Sequence, residues 1–256
     1  MTGVLETALR AKRAGGRKLL VPYITGGLAG WQEAVRAVAA AGADAIEIGL
    51  PFSDPVMDGP VIQLASQMAL EAGATPVSIL DEARDLDVGI PLAVMTYYNT
   101  IHHAGHERFA HQLLSAGVVA ALVPDLPLEE SGPWCAAADA AGVETVMFAA
   151  PTAPDDRLPR IAERARGFVY SVGLLGVTGE RHELASTAAS LAKRLKAITD
   201  VPVLIGVGVS NAAQAREAVQ VADGVVMGAS VIRRLLDDGP DAAGEYIAEV
   251  RAAIDA

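Results

Sequence analysis

"AGADAIEIGLPFSDPVMDGPVIQ" spans residues 41–63 and contains one whole structural unit. Ala-Gly at 41–42 reads as a helix stop, because glycine takes the backbone angles that end a helix. "DAIEIGL" (44–50) is an apolar run of strand length. A loop follows, with Pro51, Pro55 and Pro60 fixing φ and Gly59 permitting unusual angles. Side chains alternate along a strand, so Ala45, Glu47 and Gly49 share one face and Ile46 and Ile48 the other. The isoleucines should pack under helices. Glu47 should then point inward between two small residues, carrying an acid into an apolar setting.

The same unit recurs along the chain. Strand-like runs stand at 19–24, 44–50, 91–97, 119–125, 143–149, 167–172, 201–207 and 223–228. Most are almost continuously apolar, as strands covered on both faces should be. Between them lie segments with helical spacing, several ending in Ala-Gly. "WQEAVRAVAAAGA" places Ala34, Val35, Val38 and Ala39 on one side, and "SNAAQAREAVQVA" offers Ser210 as an N-cap. Eight strand–helix units in 256 residues fit an α/β fold, a closed (β/α)8 TIM barrel, better than an open sheet. An amphipathic stretch at the N-terminus adds one helix. No Pro-, Gly- or Ser-rich linker divides the chain, so residues 1–256 are expected to form one domain.

Composition narrows the function. The net charge of −11 disfavours nucleic acid and anionic membrane as partners. Apolar runs are five to seven residues long, too short to span a bilayer, and the N-terminus lacks a signal-type stretch. A cytoplasmic location is expected. The single cysteine, Cys135, excludes an intrachain disulfide and reads as a buried structural thiol. The histidines at 102, 103, 106 and 111 show no ligand spacing to an acid, so no metal is expected.

In a barrel the chemistry collects at the C-terminal ends of the strands. Glu47, Asp58, Asn99, Asp125 and Thr178-Gly179 all fall there. Burial would raise the pKa of Glu47 and suit it to proton transfer near neutrality. Asp54 and Asp58 occupy one stiff loop, although Asp before Pro or Gly is also an ordinary turn choice. Three late strand ends are glycine-rich: "GVTG" (176–179), "GVGVS" (206–210) and "GAS" (228–230). Bare amides and helix N-termini there would suit a phosphorylated ligand.

These stretches, together with "VPYITGG" (21–27), "MTYYN" (95–99) and "VPDLPLEES" (123–131), make the chain resemble the α subunit family of tryptophan synthase over essentially its whole length. The resemblance implies reversible cleavage of indole-3-glycerol phosphate to indole and glyceraldehyde 3-phosphate. It implies Glu47 as the acid and base at indole C3 and the neighbouring hydroxyl, and Asp58 as the acceptor of the indole N–H. It places Tyr23, Met95 and Tyr170 around the substrate, and Thr178, Gly179, Gly208, Gly228 and Ala229 at the phosphate. It also implies an α2β2 complex in which the β subunit, not this chain, uses pyridoxal phosphate. A standalone lyase, or another phosphate-binding barrel enzyme, is the alternative. Three departures from the family pattern stand out. Gly173-Leu174 replaces Ser-Arg, Ala229-Ser230 follows Gly228 where Gly-Ser is common, and Tyr23 stands where some members have Phe.

Overall fold

The computed structural model describes residues 2–173, 186–206 and 208–256. Eight parallel strands close into a barrel in chain order: β1 (Leu19–Thr25), β2 (Ile46–Gly49), β3 (Leu92–Met95), β4 (Val118–Leu122), β5 (Glu144–Ala149), β6 (Val169–Val172), β7 (Val203–Gly206) and β8 (Gly224–Met227). The ring closes where β8 pairs with β1, Leu20 opposite Val225. The expected (β/α)8 barrel is therefore present.

Strand alternation divides the core into two parts. Inside the barrel lie Leu19, Val21, Ala45, Ala93, Leu122, Val146, Leu204 and Val226. Outside, Ile46, Ile48, Val94, Val203 and Ile205 pack beneath the helices. Ala45 and Ile46 thus fall on the faces that the sequence assigns them.

Helix α1 (Val4–Ala14) is the expected N-terminal addition. Its Leu5 and Leu9 are fully buried and join the interior cluster, so the helix stoppers the N-terminal end of the barrel. The Glu144 carboxylate fixes it there, accepting from the amides of Leu5 at 2.6 Å and Glu6 at 2.9 Å. These are two of the amides that a helix start leaves without an internal partner.

Twelve helices occur among the described residues, more than one per strand. Local breakers explain the surplus. After β2, α3 (Pro60–Glu71) stops at Gly73 with φ +88°, and α4 (Pro76–Ala83) restarts on a capping box between Thr75 and Ser78. After β3, Gly105 at φ +87° separates α5 (Tyr98–Ala104) from α6 (His106–Ser115). After β8, Gly239-Pro240 separates α11 (Ala229–Asp238) from α12 (Pro240–Asp255). The remaining crossovers are α2 (Trp31–Ala40), α7 (Gly132–Ala141), α8 (Arg157–Arg164), α9 (Ser186–Lys196) and α10 (Ala212–Ala218). Helix α12 packs on α2 and α11, covering the seam between last strand and first.

One expectation needs correcting. The N-cap of α10 is Asn211, whose side chain accepts from Gln214 N at 2.9 Å, and not Ser210. Ser210 instead donates its own amide to the Gln214 side chain at 2.7 Å. Among the described residues no helix is long and apolar enough to cross a membrane.

Candidate active site

Glu47 lies on the inner face of β2, in register with Tyr23 of β1 and Ala93 of β3. Its neighbours on that face, Ala45 and Gly49, leave room around the carboxyl. The residue is 2% exposed, and its Oε2 has no hydrogen-bond partner among the described residues. Burial, reinforced by the nearby charge of Asp58, pushes its pKa up to about 8. A carboxyl this deep, with no cation beside it among the described residues, is held in its neutral form at pH 7.

Asp58 reaches the same space from the loop between β2 and α3. It is also buried. Burial pushes its pKa up to about 6, and a hydrogen bond from the Tyr97 hydroxyl opposes that rise. The loop is tied down where it returns to the barrel. Met57 N donates to the Tyr97 hydroxyl at 3.0 Å, and the Phe52 ring stacks on Tyr97 with centroids 5.1 Å apart. Gln63 closes the far side by donating to the Asp58 carbonyl at 2.8 Å. Asp54 points elsewhere: it is exposed and accepts from the Ser53 hydroxyl.

Two tyrosines wall the cavity. Burial, with the charges of Asp58 and Glu47 nearby, keeps the Tyr23 phenol protonated, and burial with Glu47 does so for Tyr170. Both need a glycine on the next strand. A Cβ at Gly49 would lie 1.9 Å from the Tyr23 oxygen, and one at Gly206 would lie 2.1 Å from the Tyr170 oxygen. These two glycines, with Tyr97, are the site residues that sequence reasoning missed. A glycine inside a strand is itself the signal of a close approach.

One cavity of about 50 Å³ brings together Tyr23, Glu47, Asp58, Met95, Tyr170, Gly208, Gly228 and Ala229, with Ser230 also on its wall. All of the expected site residues converge there except Thr178 and Gly179, which lie outside the described residues, as does Leu174 of the departure at 173–174. Asn99 and Asp125 stand at strand ends but off the cavity. Asn99 is exposed beside α4 and α6, and the Asp125 carboxylate accepts from Tyr98 N at 2.9 Å.

The glycine-rich rim has a directional chemistry. Helix α11 starts behind Gly228 without a side-chain cap. Its first amides therefore remain available to an anion, and the helix dipole favours one. Ser230 is 6% exposed, and its hydroxyl has no partner among the described residues. Helix α10 differs, because the Asn211 side chain already caps it by accepting from Gln214 N. The anion end of the cavity is therefore the α11 end, with Gly208 opposite.

Larger cavities than this one lie elsewhere on the molecule. A cavity of about 260 Å³ lies outside the barrel between β4, β5, α7 and α8, lined by residues such as Trp134, Met147 and Ile161. Neither raised carboxyl faces it, so the smaller cavity is the chemical one. Among the described residues no three His, Cys, Asp or Glu side chains converge as metal ligands would.

The family model for the tryptophan synthase alpha chain matches residues 9–253. The chain is 44% identical over 246 residues to a tryptophan synthase alpha chain of Streptomyces coelicolor, covering 94% of this chain and 91% of that one. It is 42% identical over 267 residues to one of Thermobifida fusca, covering 98% of each. A solved structure of Mycobacterium tuberculosis tryptophan synthase superposes with a TM-score of 0.92 at 34% identity, over 99% of both chains.

Proposed function

We propose, for a chain that belongs to the tryptophan synthase alpha chain family, that Glu47 and Asp58 divide the proton chemistry of its lyase reaction between them. The reaction cleaves indole-3-glycerol phosphate to indole and glyceraldehyde 3-phosphate. One observation carries the division. Glu47 has a free, buried carboxyl that is protonated near neutrality, and a second, more acidic carboxyl lies close by.

Breaking the bond between indole C3 and the glycerol chain requires a proton on C3. Neutral Glu47 supplies it. Positive charge then develops in the ring, and its N–H becomes more acidic. Ionised Asp58 accepts that N–H and stabilises the charge. The hydroxyl on the carbon attached to C3 next gives its proton to the Glu47 carboxylate. The C3–carbon bond breaks, its electrons return to the ring, and an aldehyde forms. Glu47 ends as it began, so no net proton is consumed.

The rest of the cavity supports this assignment. Tyr23, Met95 and Tyr170 hold the indole. The amides at the start of α11 and at Gly208 take the phosphate, with Thr178 and Gly179 contributing from their loop. Ala229 offers only its amide, and the Ser230 hydroxyl replaces the side-chain contact. No step needs a cofactor in this chain, and pyridoxal phosphate belongs to the β partner. Among the described residues no lysine lines the cavity.

The partner reading, an α2β2 complex, is supported by the family and by the surface. Val56, Met57, Leu64 and Met68 are apolar and exposed on the loop carrying Asp58 and on α3. They offer a docking face beside the exit that indole would take. One domain across residues 1–256 is part of the same reading, supported by α12 closing over α2. So is a cytoplasmic location.

The test is indole formation from indole-3-glycerol phosphate, with and without a cognate β subunit. Glu47→Gln should lower kcat by about 10³-fold or more and Asp58→Asn by about 10²-fold or more. Wild-type kcat/KM should follow a bell, rising as Asp58 ionises near pH 6 and falling as Glu47 loses its proton near pH 8. Full activity in either variant would defeat the assignment.

A further inference from the structure

We infer that Tyr97 is the positioning residue of the Asp58 loop: its hydroxyl and ring together hold the Asp58 carboxyl over the cavity. The inference rests on Asp58 being the group that takes the indole N–H.

Tyr97 follows the end of β3, is 2% exposed, and is not itself on the cavity wall. It touches the loop on both arms. On the outgoing arm its ring lies against Phe52, with planes 26° apart. On the returning arm its oxygen accepts the Met57 amide at 3.0 Å, and its hydroxyl acts on the Asp58 carboxyl next along the chain, holding down the pKa that burial raises. A phenol has one donor and can accept as well, so both bonds can exist together. The neighbouring groups fix that polarity. Burial and the Asp58 charge keep Tyr97 protonated, so it stays the donor. Among the described residues the other titratable groups around Asp58 are Glu47 on β2 and Tyr23 on β1, and neither is a cation. Tyr97 is thus the group that counters the cost of burying the Asp58 charge. Three prolines stiffen the loop, but stiffness alone does not aim it. A side chain from the next strand that grips residues 52, 57 and 58 does.

The experiment is Tyr97→Phe in the full-length chain, which keeps the ring and removes only the hydroxyl. Loss of a donor to a carboxylate raises its pKa, so the acidic limb of the kcat/KM profile should move up from near pH 6 by about one unit. The plateau should fall by about tenfold as the carboxyl loses its fixed place. The melting temperature should change little, because the stack on Phe52 remains. In an Asp58→Asn background, Tyr97→Phe should have almost no further effect on activity, since the hydroxyl acts through that carboxyl. A limb and plateau that stay put overturn the inference. So does a plateau that falls equally with and without Asp58. If Asp58→Asn alone retains full activity, the reading of Asp58 fails first, and that outcome is distinguishable because it appears without touching Tyr97.

Discussion

Asp44 and Glu47 are three residues apart, one just before β2 and one within it, and the fold treats them in opposite ways. Asp44, at the N-terminal end of the barrel, is fully buried and surrounded by donors. Lys12 Nζ lies 3.0 Å from it, Arg17 Nε 2.7 Å, Arg251 Nη1 3.1 Å, and the Leu20 amide 2.9 Å. Asp223 repeats the pattern at the same end, with Arg13, Lys196 and the Val203 amide. Glu47, within β2, is also buried and has no cation beside it among the described residues. One end of the barrel therefore uses its carboxylates to hold the ring and α1 together. The other keeps two carboxyls without a cation among the described residues, which leaves them available to a substrate. Stability and chemistry occupy separate ends, as the barrel architecture permits.

The largest effect in this comparison should come from breaking the stabilising end. Asp44→Ala removes the common partner of three cations and leaves Arg251, whose side chain is 9% exposed, with Asp255 as its remaining acidic partner. Urea unfolding should show a loss of about 3 kcal/mol, the lower end of the cost of breaking a buried ion pair. Turnover per folded molecule should stay near wild type. A large loss of turnover without a loss of stability would erase the distinction between the two ends.

A smaller effect sharpens the chemical end. Ser230→Ala removes a buried hydroxyl that has no partner among the described residues. It should cost little or no stability and raise KM for indole-3-glycerol phosphate about tenfold, with kcat nearly unchanged. A destabilised variant with normal KM would make Ser230 a structural residue.

How much of this could be read in the sequence depended on the range of the interaction. Alternation along "AIEIG" put Glu47 inside, because that rule involves only adjacent residues. Glycine and proline marked the helix ends, although Gly73 and Gly105 went unread as breaks within a crossover. What stayed hidden was long-range. Nothing near Asp44 announces Arg251, which is 207 residues away. Tyr97 stood in plain view within "MTYYN", but its grip on Met57 and Asp58 depends on β3 lying beside β2. Ser210 looked like an N-cap by type, and Asn211 won by one residue because its side chain reaches Gln214 N.

The central claim is that Glu47 is kept in a setting that suits proton transfer and costs stability. A free glutamate loses its proton near pH 4.5, whereas folded Glu47 keeps it to about pH 8. Between those values the folded chain holds a proton that the unfolded chain has released, so stability should fall as pH rises. Glutamine at this position cannot ionise and escapes that loss. The most direct measurement is the melting temperature of wild type and Glu47→Gln from pH 4 to pH 9. The two should be close at pH 4, with the variant gaining steadily until it leads by about 5 °C or more at pH 8. A gap that does not change with pH, or a wild type that is the more stable at pH 8, would contradict the account.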